Sequence, residues 1–202
     1  MVRMRKISRK SDSRLAFADL SGILSKSRRS QVWVETAVYT LIGLTLIAVI
    51  ISMATPQIQK IKDRSVLEQT ISAMNTLDNK ILEVQQTENS RGKVIFKIYK
   101  GRLEINSVDD FIKYVLEDTK LEASQPGVEI QAVGGKIILK TEKTGARYNI
   151  ILLMNYSLDI TNKNGETEKI LQAGATPYNI FIENKGSTLV AGATTEMEFE
   201  IV

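Results

Sequence analysis

Uncharged residues run without a break from Thr36 to Gln59, 24 positions that include LIGLTLIAVIISMA. About 20 apolar residues suffice for a helix to cross the hydrocarbon core of a bilayer, so this run is expected to span a membrane or to be held in one. Past Pro56 the pattern turns amphipathic. Ile58, Ile61, Leu67, Ile71, Met74, Leu77, Ile81 and Val84 recur three to six residues apart among Lys, Glu, Gln and Asn, the spacing of a helix with one apolar stripe. A helix from about Val32 to about Thr87 is roughly 80 Å long at 1.5 Å per residue. A kink is expected at Pro56, whose missing N–H removes one intrahelical bond. The polar stretch Glu88-Asn89-Ser90-Arg91-Gly92 reads as the stop, with Gly92 as a left-handed terminator.

From Lys93 the period falls to two, or to short apolar runs bounded by turn residues, the signature of an antiparallel β domain. Val94–Tyr99 and Arg102–Ile105 flank Lys100-Gly101; Val128–Val133 and Lys136–Lys140 flank Gly134-Gly135, a favoured two-residue hairpin turn. Tyr148–Tyr156 reads as a long apolar strand and Asn164-Gly165 as a turn before Lys169–Leu171. Tyr178–Glu183 and Glu196–Val202 close the chain. Between these, Ser107 with Asp110 three residues on has the form of a capping box. The short helix it opens would set Val108, Phe111, Ile112, Val115 and Leu116 on one face. The expected fold class is α+β: a long N-terminal helix, membrane half then amphipathic half, and a C-terminal antiparallel sheet or sandwich of roughly seven to nine strands. Part of that sheet is expected to pack on the stripe from Ile58 to Val84.

Composition narrows the chemistry. With 202 residues the chain has room for one ordinary domain beside a membrane helix, since a core-forming domain takes about 100 to 200. It has no cysteine and no histidine, which removes thiol nucleophiles, imidazole bases, disulfides and zinc sites built from Cys and His. No Gly-rich phosphate loop appears, and neither enzyme activity, a cofactor nor a metal is expected. The net charge of +4 is uneven: residues 1–30 hold nine basic residues against Asp12 and Asp19, so the remainder is net acidic. On a folded surface such basic charge would point to nucleic acid. Placed directly before an apolar run it marks the cytoplasmic side of a membrane, so no nucleic-acid partner is expected. The N-terminus is read as cytoplasmic and everything after Lys60 as exported.

Between the basic leader and the apolar run stand Lys26-Ser27-Arg28-Arg29-Ser30 and then Gln31-Val32-Trp33-Val34-Glu35-Thr36-Ala37. Here the sequence resembles archaeal type IV prepilins with a class III signal peptide. The resemblance implies a peptidase cut on the cytoplasmic side between Ser30 and Gln31, with Arg28 and Arg29 recognised by the prepilin peptidase, and makes Glu35 the fifth residue of the mature chain. Ser30 stands where that family usually has glycine or alanine. Unlike a secretory signal, this one leaves its apolar helix on the mature protein. The organisation that follows is a cleaved leader at 1–30, a membrane and filament-core helix at 31–56, its amphipathic continuation at 57–88, and an extracytoplasmic β-rich domain at 93–202. The resemblance further implies a structural subunit of a pilus-like surface filament, active in adhesion. Its partners would be its own copies, the lipid bilayer, the prepilin peptidase, an assembly ATPase and a membrane platform protein.

Two rivals stand beside this reading. One is an uncleaved signal anchor carrying a β domain that acts as a binding module. The other is an extracytoplasmic enzyme working with carboxylates alone, for which the β half offers no acids at pocket-like spacing. Asn155-Tyr156-Ser157 fits the N-glycosylation pattern, which makes Asn155 a candidate for modification. The oxygen-rich run Asp159–Glu166 suggests calcium, but Lys163 interrupts it and the EF-hand spacing fails, so it reads as a solvated hairpin loop. Asp109 with Asp110, and Glu117 with Asp118, read as the exposed face of the short helix.

Overall fold

The computed structural model describes residues 15–132, 134, 136–187 and 194–202, with side chains from Val32 onward. The layout is α+β: helix α1 (Leu15–Gln85) is followed by ten strands among the described residues. The chain divides into two compact units, Met1–Thr55 and Pro56–Val202, and the boundary falls inside α1 at Pro56.

Within the second unit the strands form two sheets. One has the order β1 (Arg91–Phe96), β9 (Tyr178–Ser187), β10 (Thr195–Ile201), β7 (Asp159–Asn162). The other runs β4 (Glu129–Gln131), β5 (Ile138–Thr144), β6 (Arg147–Asn155), β3 (Phe111–Thr119), β2 (Arg102–Asn106), β8 (Glu168–Gln172). All pairings are antiparallel except β7 with β10, which is parallel. Alternation decides which side chains turn inward: Ile150, Leu152 and Met154 from β6 and Ile180 and Ile182 from β9 are all fully buried. They join Leu67, Met74, Leu77, Ile81 and Val84 of α1 in one hydrophobic cluster that draws on both sheets.

The apolar stripe predicted for α1 is therefore divided. Leu67 to Val84 lies under the sheets, whereas Ile58 and Ile61 are exposed. At 3.6 residues per turn those two point to roughly the opposite side of the helix from the buried set.

Four local expectations are corrected. The helix expected from Ser107 is strand β3, preceded by a tight turn in which Asn106 Oδ1 accepts from the N–H groups of Val108 and Asp109 (2.7 and 2.9 Å). Asp110 takes a positive φ of 50° and its carboxylate accepts from Ile160 N–H. Ile112, Tyr114 and Leu116 then alternate into the core. Lys100-Gly101 joins no hairpin, because β1 and β2 belong to different sheets. Gly101 is required there for another reason, since a Cβ would sit 2.2 Å from Val115 O. Gly134 lies in a hairpin as expected, but Ala132 N–H bonds to Ile137 O, so the loop is longer than two residues. The two-residue turn is Gly145-Ala146, where Thr144 pairs with Arg147 and Gly145 has φ 63°. Finally, Asn89 (φ 59°) takes the left-handed position after α1. Gly92 lies in β1, against Lys80 and Val84.

The end of α1 is closed from a distance. The last carbonyls of a helix lack intrahelical donors, and Asn184 Nδ2, 1% exposed, donates to the carbonyls of Val84, Gln85 and Thr87 at 3.1–3.2 Å. Ser90 Oγ adds bonds to Val84 O and Thr87 O. Asn184 is the next inward position of β9 after Ile180 and Ile182, and it is polar where the sheet meets the open helix end.

Candidate functional site

Among its described residues the first unit presents an exposed apolar helix surface. From Val32 to Met53 the large side chains stand exposed on every side, Trp33 at 78% and Met53 at 70%. Folded soluble proteins rarely leave more than a few hundred Å² of contiguous apolar surface in water, so this segment needs an apolar surrounding. Its hydroxyls are already satisfied within the helix: Thr36, Thr40, Thr45 and Thr55 each donate to the carbonyl four residues back at 2.7–2.9 Å. In hydrocarbon an unpaired hydroxyl costs several kcal/mol, and this back-bonding removes the penalty. Near the start, Thr36, Ala37 and Thr40 line a shallow surface groove with Val32 and Trp33. Small residues four apart let a second helix backbone approach closely.

Glu35 lies exposed in this segment and has no ion pair or hydrogen-bond partner among the described residues. The backbone of Arg28, Arg29, Ser30 and Gln31 belongs to α1. Their side chains lie outside the described residues, as do residues 1–14 of the expected leader.

No family model, curated protein or solved structure matches this chain.

The remaining candidates lie in the second unit. Asn155 is exposed at the last position of β6, and Ser157 is exposed beside it. Tyr156 between them is buried and donates to Asp78 Oδ1 at 2.9 Å, so the triplet is fixed to α1 at its middle. Asp159–Glu166 is not a hairpin loop. Its first four residues form β7, and Asn164-Gly165 leads from one sheet to the other. Within it Glu166 pairs with Lys169 and Asn162 Nδ2 donates to Ser107 Oγ and Glu166 O, while the buried Asn162 Oδ1 has no hydrogen-bond partner among the described residues. The carboxylates expected on a helix face are spread out, Glu117 pairing with Arg102 and Asp118 with Arg147.

Three buried carboxylates were not foreseen, Asp63, Glu104 and the Asp78 that accepts from Tyr156. Burial pushes the Asp63 carboxyl up, but hydrogen bonds from Lys100 Nζ (2.8 Å) and Thr119 Oγ1 (2.5 Å) and the Lys100 charge outweigh it and hold its pKa below the ordinary range. Glu104 is treated the same way by Lys113 and Arg102. Asp63 and Glu104 both tie elements together. Asp63 joins α1 to β3 and to the segment before β2, and no signal within α1 distinguishes it from an exposed acid.

Proposed function

We propose that this chain is the precursor of a structural subunit of a pilus-like surface filament, a prepilin-like protein held in the membrane by α1 before assembly. The observation that carries this reading is the fully exposed apolar segment from Val32 to Met53. One helix here is long and apolar enough to cross a membrane. Lipid or identical helices would serve it equally, so a move from bilayer to filament core exchanges one apolar surrounding for another. The second support is the order of residues at its edge: Arg28-Arg29, Ser30, Gln31 and then Glu35, which resembles a prepilin processing site. A peptidase of that class, an assembly ATPase and a membrane platform are the partners this reading requires. The β-rich unit then faces the outside, with Asn155 open to glycosylation. Intact-mass analysis of the protein from membranes or filaments tests the proposal. Loss of residues 1–30 is expected, and retention of Met1–Ser30 would leave a signal-anchored binding module instead.

A further inference from the structure

Two apolar surfaces of the Pro56–Val202 unit stay open in the folded chain. One is a groove of about 460 Å³ between α1 and the β4–β5 hairpin, walled by Leu67, Ile71, Leu121, Ile130 and Leu139, with Glu122 and the Arg64–Glu68 ion pair exposed along it. The other is the ridge formed by Ile58 and Ile61, 50% and 69% exposed and one turn apart on α1. At 3.6 residues per turn the ridge points about 130° away from Leu67 and Ile71, so it faces away from its own groove.

We infer that the Ile58–Ile61 ridge of one copy seats in the groove of the next copy, a contact that rests on the subunit reading above. Shape class matches, and so does charge at Glu122, the groove carboxylate that Arg64 does not neutralise. The ridge offers two branched apolar side chains to a groove lined by leucine and isoleucine. Lys62, beside the ridge, has no ion pair among the described residues, while Glu122 accepts a hydrogen bond from Tyr148 but has no cation there. Seating the ridge brings that lysine to that carboxylate. Lipid is the poorer occupant, because the ridge is flanked by Gln57, Gln59 and Lys62, groups that hydrocarbon would strip of water. Ridge and groove are different patches, so the contact is head-to-tail: any row of copies keeps a free ridge at one end and a free groove at the other, and the assembly extends instead of closing. The midpoints of the two patches lie about 14 Å apart along the helix axis at 1.5 Å per residue. For copies with parallel helices, that is the axial offset between partners.

The absence of cysteine in the natural chain permits a clean test. A disulfide needs Cα atoms within about 7 Å, so Ile61→Cys combined with Ile130→Cys in the full chain, oxidised after assembly, should give a ladder extending past the dimer on a non-reducing gel. Either single variant should give none. Lys62→Glu should reduce polymer yield at least severalfold, and Lys62→Glu with Glu122→Lys should restore it. Normal polymer from the double-cysteine variant with no ladder overturns the contact and leaves the subunit reading standing. A dimer from Ile61→Cys alone means that ridge meets ridge, and overturns it too. If Ile61→Cys is shielded from an aqueous maleimide in membranes but reactive in polymer, lipid covers the ridge and the contact falls. Failure of the unsubstituted chain to form any polymer overturns the contact and the subunit reading together.

Discussion

Single side chains hold the joints of this protein. Asn184 supplies donors that the end of α1 lacks, and its removal strips Gln85 O of its side-chain donor and leaves Val84 O and Thr87 O to Ser90 and the backbone. Asn184→Ala should therefore destabilise the β-rich unit by about 1–3 kcal/mol, measured by chemical denaturation. Asn184→Asp, close in shape but without the donor, should lose at least as much. Asp63 and Glu104 make stability depend on acid. Both carboxyls have folded pKa values below their ordinary ones, so their contribution is complete above the unfolded values of about 4 and is lost as pH falls through the lower folded values. Melting temperature should hold from pH 7 to about 5 and fall below pH 4. In Asp63→Asn it should start lower and fall less steeply over that acid limb. The roles of Asn184 and Asp63 are not written in local sequence, because their partners lie tens of residues away, whereas Glu104 meets Arg102 and Lys113 nearby in the chain once β2 pairs with β3.

The elements themselves were legible where one period prevailed over a long stretch. The uncharged run and the stripe from Leu67 to Val84 mark α1, and the alternation in Tyr148–Tyr156, Tyr178–Glu183 and Glu196–Val202 marks β6, β9 and β10. Reading failed where two periods coincide. Val108, Phe111, Ile112 and Val115 fit a helical face, and Ser107 with Asp110 mimics its cap. Pairing of Phe111–Leu116 with β6 overrides that local fit. The connection at Lys100-Gly101 misled for a related reason: a turn dipeptide says that the chain bends, but not which sheet it bends into. The candidate site shows the same division, since the exposed apolar helix was plain from composition, whereas the separation of Ile58 and Ile61 from the buried stripe needed the sheets in place. The helical part of the second unit is core, so a fragment of residues 93–202 should be far less stable than one of residues 56–202, compared by thermal melts. Leu77→Ala, at a fully buried position, should cost about 2–5 kcal/mol in the longer fragment.

At the scale of the whole molecule, Glu35 is the residue on which assembly is expected to turn. A carboxylate within a membrane helix costs up to about 2.5–3.5 kcal/mol on insertion scales, so one kept there generally has a partner. If the proposed cut makes Gln31 the first residue, its amine, with an ordinary pKa of about 7.7 to 8.0, is a cation at neutral pH. On the proposed subunit reading, the amine of an incoming copy would pair with Glu35 of its neighbour and fix their stagger. Glu35→Gln should be cleaved and inserted normally yet polymerise poorly, as counted by electron microscopy. Filaments of normal abundance and helical parameters from this variant would assign the stagger to helix packing alone. Chain order adds a constraint of timing. In the four-stranded sheet the two inner strands, β9 and β10, come last, and the two outer strands, β1 and β7, come earlier. As the polypeptide emerges vectorially from the ribosome, β1 must wait for Tyr178–Ser187 and β7 for Thr195–Ile201, while the six-stranded sheet has all its strands by Gln172. The nascent chain thus completes one sheet well before the other, and during that interval Ile160 and Phe96 lack the strands that bury them.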